Sequence, residues 1–494
     1  MRHLRRTRAA SGGQLRRLPQ SKDTRLGLGR SADSPGARLR NRREAVSRSA
    51  KLLLAPRPLD IGDTAGFEKS DIFQAKAPGE RLANIVGDLA GHAVIVLDGP
   101  WGSGKSVFAR QWAGLLRQRG HAVVYFDAFE HDHLDDAFFP LFGHLLKASD
   151  SSGPRLKDSK ASLVRTATPL VRAMPRIVAD AALRTGTGGL LSLADLQQHV
   201  RDARSAETDD IEAFVEESLE QAATQVECVD GFRDALAAAV ANTGDGEQGK
   251  APLVFVIDEL DRCRPSYALN VLERVKHLFT VDGICFVLVT HLEGLAAMVK
   301  RAYGLEKADQ YLDKFFQLRF DIRRILSRGP ETSHTRYLRH LAELMGLSWN
   351  HGQNPTMTIN SLVQVHDLTF RSQERLMLNL ALLKRSKGGF PNEIHRALSA
   401  GLCVMRTLAP ELYHDAARER LGYRDAMAFL KFDQWPGVGE ETIDRIKRYW
   451  TFSAADGEEH LTAEERANWS SATFYSGRRE MAEICADIDL LWQE

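Results

Sequence analysis

At 494 residues the chain is long enough for about three domains of the usual ~150 residues, and its 43% apolar and 27% charged content is ordinary for globular protein. The net charge of +1 conceals an uneven distribution: residues 1–51 carry fifteen Lys/Arg against three Asp/Glu, so a leader of +12 precedes a body of −11. Five cysteines with no CxxC pair argue against a disulfide framework or a zinc cluster and for a reducing cytosol, and no apolar run approaches the ~18 residues of a spanning helix.

Residues 1–56 are rich in Arg, Ser, Gly and Pro and too poor in apolar side chains to offset ordering entropy, so they read as a disordered basic leader. Without an apolar core this leader is no secretory signal. A solvated tail, a start placed too far upstream, a transit peptide and a nucleic-acid arm all remain open for it. Leu59 to Gly79 is polar and loop-like, with Phe67, Ile72 and Phe73 available either for an adenine ring or for the core. Glu80 to Leu89 predicts a helix with Leu82, Ile85, Val86 and Leu89 on one face.

The chain is organised around VIVLDGPWGSGKS, Val94 to Ser106. Ala93 to Leu97 reads as a buried strand, and Val107 to Leu116 as the helix that follows. Gly99 to Ser106 fits G-x-x-x-x-G-K-[ST], a phosphate-binding loop. Gly99, Gly102 and Gly104 let the backbone curl, so that the amides of Gly99, Pro100, Trp101, Gly102, Ser103, Gly104, Lys105, Ser106 and Val107 (Pro100 excepted, having no N–H) wrap anionic oxygens. The positive end of the helix adds to that field. Lys105 would reach the β- and γ-phosphates, and Ser106 would ligate Mg²⁺.

His121 to Glu130 supplies a second buried strand, Ala122 to Phe126, with Asp127 and Glu130 at its carboxyl end, where α/β sheets bind ligands. Each acid reads either as a water or Mg²⁺ orienter or as a rim residue or cap. Residues 141–250 delay the next strand far beyond a normal crossover and read as a helical insertion. Within it Arg165, Arg172, Arg176 and Arg184 recur at near-helical spacing among apolar residues. Such a stretch suits an anionic membrane surface, an acidic partner or a helix with a solvated Arg face. Residues 205–241 read as two further helices.

Pro252 to Ile257 is a third strand, and it ends in Asp258-Glu259-Leu260-Asp261-Arg262. An apolar strand ending in two acids, downstream of a P-loop, is the Walker B pattern. Asp258 would hold the metal shell and Glu259 would polarise the attacking water. Arg262 and Arg264 follow, and either suits developing phosphoryl charge or a structural ion pair. Tyr267 to Phe279 predicts a helix and Ile284 to Thr290 a fourth strand that ends in Thr290-His291, where a polar residue can read the γ-phosphate and His291 reads equally as a satisfied surface histidine.

GPWGSGKS, VVYFDAFEHD, FVIDELDRCRPSYALNVLERVKHLF, FVLVTHLEGLAAMVKRAYG and YLDKFFQLRFDI together resemble the KAP family of P-loop NTPases, over roughly residues 60–330. The resemblance implies a RecA/AAA-related α/β fold, a three-layer sandwich with a parallel sheet, binding ATP with Mg²⁺. Many members carry spanning helices between the two nucleotide motifs, and some bacterial relatives are linked to phage exclusion. This chain differs in its charged insertion, in Asp127 and Phe129 where Asn and Trp are usual, and in His291 where Asp is frequent.

The expected organisation is a leader at 1–56, a P-loop NTPase domain at 57–325 and an all-α lid or bundle at 326–494. In the last part Thr335 to Leu347, Leu368 to Leu383 (starting near Thr369) and Pro391 to Thr407 read as helices, and Glu411 to Phe432 and Thr442 to Trp450 as continuing the bundle. Arg371 and Arg375 share a face, and the resemblance implies that such a lid arginine reaches the nucleotide. The expected activity is ATP hydrolysis, fast or slow, switching a conformational change in a signalling, membrane-associated or phage-defence assembly. A nucleotide-regulated scaffold and a DNA-handling AAA-type ATPase are the alternatives. The acidic body disfavours nucleic acid. A protein partner, the inner face of a membrane or a second copy of the chain completes the set of expected partners.

Overall fold

The computed structural model describes residues 65–68, 70–89, 91–151, 159–171, 224, 226–241, 251–326, 331–349, 355–469 and 476–490. The basic leader lies outside the described residues, as do Arg172, Arg176 and Arg184 and much of the 141–250 insertion.

The first half alternates helices and strands: α1 (Lys76–Gly87), β1 (Ala93–Asp98), α2 (Lys105–Gln118), β2 (Val123–Asp127), α3 (Phe138–Ser151), α4 (159–171), α5 (226–240), β3 (Leu253–Asp258), α6 (Pro265–Leu278), β4 (Ile284–Thr290), α7 (Leu292–Tyr303), α8 (Ala308–Leu312), β5 (Leu318–Asp321) and α9 (Ile322–Leu326). The strands pair in the order β2-β3-β4-β1-β5, all parallel. A parallel sheet must be covered on both faces, so its central strands read as continuous apolar runs, and β1, β3 and β4 are buried at every residue. Alternate side chains separate into two layers. Val94, Val96, Phe126, Phe255, Ile257 and Leu288 pack under α3, α4, α5, α6 and α7. Ile95, Leu97, Val254, Val256, Val287 and Val289 pack under α1 and α2, whose Phe108 and Trp112 are fully covered.

Helix α1 begins four residues earlier than its sequence pattern suggests, and it corrects one face assignment: Ile85 is 40% exposed. The buried stripe is Gly79, Leu82, Ala83 and Val86. Leu82 and Val86 mark the inward face as expected, and Gly79 and Ala83 complete it in place of Ile85, because small residues let the helix approach the core, with Phe67 lying against Gly79.

The second half is helical: α10 (Ser333–Met345), α11 (Pro355–Val365), α12 (Phe370–Ser386), α13 (Glu393–Leu408), α14 (Pro410–Ala417), α15 (Tyr423–Leu430), α16 (Glu440–Ser453), α17 (Ala463–Trp469) and α18 (Ser476–Leu490). These helices bury a core of their own, with Leu380, Leu398, Leu402, Met405, Trp450 and Ile484 among its members. Thr369 and Asn392 cap α12 and α13 by accepting from the N–H of Ser372 and His395. Glu411 to Phe432 continues the bundle as two helices: Glu419 takes φ 59°, and Gly422 then starts α15. An aromatic seam joins the bundle to the segment before α1, where Phe73 lies 4.6 Å from Phe370 and 5.6 Å from Tyr337. Phe73 and Phe67 are therefore core residues here.

Candidate functional site

Parallel pairing brings all the strand ends to one edge. In register, Asp98 lies opposite Thr290 and Asp321, and Asp258 opposite Asp127 and Val289. Strand β4 separates the strand that feeds the glycine loop from the strand that ends in Asp258. The two motifs, more than 150 residues apart in sequence, still converge: the Ser106 hydroxyl donates to Asp258 Oδ1 at 3.2 Å.

The loop between β1 and α2 turns on backbone that side chains disfavour. Gly104, the residue before α2, has φ 85°, in the left-handed region. Gly99 needs its missing side chain for a different reason, since a Cβ there would fall 2.4 Å from Ile322 Cγ2. Lys105 is only 8% exposed, and its ammonium donates to the carbonyls of Gly99 at 2.6 Å and Pro100 at 3.1 Å. Burial holds its pKa below the ordinary lysine value, opposed by the carboxylates of Asp261, Asp258 and Asp98.

Asp258 is 1% exposed. Its carboxylate accepts from Ser106, from the Tyr125 hydroxyl at 2.5 Å and from the Glu259 N–H at 2.8 Å. Burial nevertheless raises its pKa, and pushes the Tyr125 phenol well above the usual range, so Tyr125 remains a donor. Tyr125 carries no motif. Its signal was a lone hydroxyl within VVYFD, two residues before a strand end.

Glu259 stands in the left-handed region at φ 58°, a conformation worth about 1–2 kcal/mol of strain for a residue with a Cβ. Its Oε1 pairs with Arg262 Nη2 at 2.8 Å. Burial raises the Glu259 pKa, and Arg262 opposes the shift. Arg264 is engaged elsewhere: its Nε donates to Asp132 Oδ1 at 3.1 Å and its Nη2 to the Leu134 carbonyl at 2.9 Å and the Asp132 carbonyl. Asp127 caps its own turn, its Oδ1 accepting from the N–H of Phe129 and Glu130, while Glu130 is exposed.

Asp261 had no role on sequence grounds. It is buried and accepts from the Trp101 indole N–H and from the Thr290 hydroxyl, the latter at 3.3 Å. Thr290 is itself fully buried, and His291 lies edge-on to Trp101 at 5.2 Å. Asp98 accepts from the Leu292 N–H at 2.9 Å and pairs with Arg319.

The bundle closes the other side of the loop. The Phe370 N–H donates to the Gly102 carbonyl at 3.0 Å, and a Cβ on Gly102 would lie 3.1 Å from the Arg371 Cβ. Arg371 and Arg375 are exposed, and among the described residues neither makes a hydrogen bond or an ion pair.

A parallel sheet, a glycine loop entering a helix and a carboxylate strand one position removed define a P-loop nucleotide-binding domain. The profile of the KAP family P-loop domain matches residues 79–386. The chain belongs to the KAP family of P-loop NTPases, and nucleotide binding follows from that membership. No curated protein matches it closely. Among the described residues no helix is long and apolar enough to cross a membrane.

Proposed function

We propose that this chain binds ATP with Mg²⁺ and hydrolyses it to switch the arrangement of its helical bundle. The observation that carries the reading is the 3.2 Å approach of Ser106 to Asp258, beside a buried Lys105 and a glycine-lined loop. Two hard oxygen donors from different motifs, already touching, suit Mg²⁺, which leaves phosphate oxygens and water to fill its remaining positions. The bound ion would neutralise charge between the β- and γ-phosphates.

The chain's own residues do the rest. Amides from Trp101 to Val107, with Gly99, cradle the phosphates, and Lys105 exchanges its two carbonyl acceptors for phosphate oxygens. Glu259 takes the proton from the attacking water as the terminal phosphoanhydride bond breaks, releasing ADP and inorganic phosphate. Arg262, paired with Glu259, would share its charge between that carboxylate and the transferring group. Arg264 positions the β2–α3 segment through Asp132. Arg371, beside Gly102, and Arg375 on the same helix would engage the nucleotide from the bundle, and loss of the γ-phosphate would release that helix, in the manner of other phosphate-held switch segments. The partner that reads this motion is a protein or an anionic membrane surface.

A second reading, a nucleotide-held scaffold of very low turnover, is favoured by one observation: the carboxylate of Glu259 is already paired with Arg262. ATP binding and steady-state hydrolysis separate the two. Lys105→Ala is expected to abolish binding, and Glu259→Gln to retain ATP but stall turnover. Unchanged turnover in Glu259→Gln removes the base assignment. Wild-type turnover at the background rate, with binding intact, selects the scaffold.

A further inference from the structure

Besides the turn in which the Ser103 N–H donates to the Pro100 carbonyl, two side chains tether the first half of the glycine loop. One is Lys105, through the carbonyls of Gly99 and Pro100. The other is Trp101, whose indole N–H donates to Asp261. If phosphate occupies the loop, Lys105 turns to the phosphate and the first tether is lost at the moment of binding. The second is made by two side chains, neither of which is a phosphate ligand in this reading.

We infer that Asp261 is a positioning residue, which acts through Trp101 to hold residues 99–101 in the phosphate-binding shape while Lys105 changes partners. The inference rests on the reading of this loop as the nucleotide site. Three features carry it. The Asp261 carboxylate is oriented at both oxygens: Oδ2 receives the indole, and Oδ1 receives the hydroxyl of Thr290, fixed at the end of β4. It is buried, so the hydrogen bond from the indole is made in a low dielectric and is stronger than one in water. Trp101 is half exposed, so burial of its ring does not explain why it is held there. Its ring instead lies against His291 and close to Gly294 at the start of α7. The carboxylate thereby joins the glycine loop, the Asp258 loop and the end of β4, three elements brought together only by the sheet.

Asp261 touches no phosphate in this account, and its effect is uniform on ground and transition state. Removing the tether should raise KM and leave kcat within about twofold. The expected loss in ATP affinity is about tenfold, the usual size of one hydrogen bond to a buried charged acceptor. Asn at this position keeps one acceptor for the indole and one donor for Thr290, so the tether survives while the charge is lost.

The test is a double-mutant cycle on the full chain, with ATP·Mg²⁺ titrated by calorimetry and steady-state kinetics measured alongside. Trp101→Phe keeps the ring and, at a half-exposed position, leaves the core intact. Asp261→Ala removes the acceptor, and Asp261→Asn restores it. Trp101→Phe and Asp261→Ala should each weaken binding about tenfold, the double variant no further, and Asp261→Asn should recover most of the loss. The indole emission lost in Trp101→Phe should shift on adding ATP in the wild type and in Asp261→Asn, but differ in Asp261→Ala. Wild-type affinity in Trp101→Phe, or additive losses in the double variant, overturns the inference. Failure of the wild type itself to bind ATP, or equal binding by Lys105→Ala, overturns instead the nucleotide assignment beneath it.

Discussion

Gly99→Ala tests how tightly the glycine loop is fitted to the sheet edge. The added Cβ would fall 2.4 Å from Ile322 Cγ2 and 2.9 Å from Ser103 Oγ. The serine hydroxyl can rotate, but Ile322 is fully buried and opens α9 directly after β5. Relieving the overlap therefore moves either the loop or the start of α9. Overpacking of this kind costs about 1–3 kcal/mol, which for a domain of this size lowers the thermal midpoint by roughly 2–10 °C. The offending atom is the β-branch methyl of Ile322. Ile322→Leu moves that methyl outward at little change in volume and by itself costs under about 1.5 kcal/mol. Thermal unfolding at a fixed scan rate and ATP titration on the two single variants and the double would measure the coupling. Gly99→Ala should lose both stability and affinity, and Gly99→Ala with Ile322→Leu should recover a substantial part of each. If the two substitutions simply add, the contact is not the cause and the steric argument fails.

Asp258→Asn should retain weak nucleotide binding but lose the dependence on Mg²⁺, and chelation of Mg²⁺ should depress wild-type turnover to the level of that variant; a metal titration of both checks this. Arg371, over Gly102, should matter more than Arg375: the first, changed to Ala, should lower kcat/KM about tenfold and the second less than threefold, in parallel ATPase assays. Phe370→Ala removes the centre of the aromatic seam and should cost about 3–5 kcal/mol, read as early proteolytic release of the helical region. His334, His340, His366 and His395 are all held below the ordinary histidine pKa, chiefly by burial. The unfolded chain therefore binds more protons than the folded one below about pH 6.5. Stability of the bundle should fall as pH drops through that value and be complete above it, and a variant with His334 and His395 replaced by Asn should show a shallower slope in midpoint against pH.

How much was legible depended on the range of the interaction. Strand β4 runs from Ile284 to Thr290, as its apolar run suggests, because a strand covered on both faces must be apolar throughout. Thr369 was legible as a helix start because a cap is a contact across three residues. Strand β5 is not legible as a strand. It is four residues long at the sheet edge, and its half-exposed Leu-Arg-Phe-Asp carries neither an apolar run nor a clean alternation. The exposure of Ile85 is not legible locally, because Gly79 and Ala83 share the inward face of α1 with Leu82 and Val86, and the packing of Gly79 depends on Phe67 and α2.

For the site, residue type in local order was enough to single out the glycine loop, Lys105, Ser106, Asp258 and Glu259, since a phosphate cradle and a carboxylate pair need specific chemistry at fixed spacing. Local order could not say which strands lie side by side. That follows from long-range burial and right-handed crossovers, and only it brings Ser106 to Asp258 and Tyr125 behind them. Nor could it reveal the partners a charged group takes at rest. The hold of Gly99 and Pro100 on Lys105, of Arg262 on Glu259 and of Asp261 on Trp101 are set by which neighbours remain once water is excluded. Chemistry is written along the chain, whereas the pairing of buried charges is a property of the folded interior.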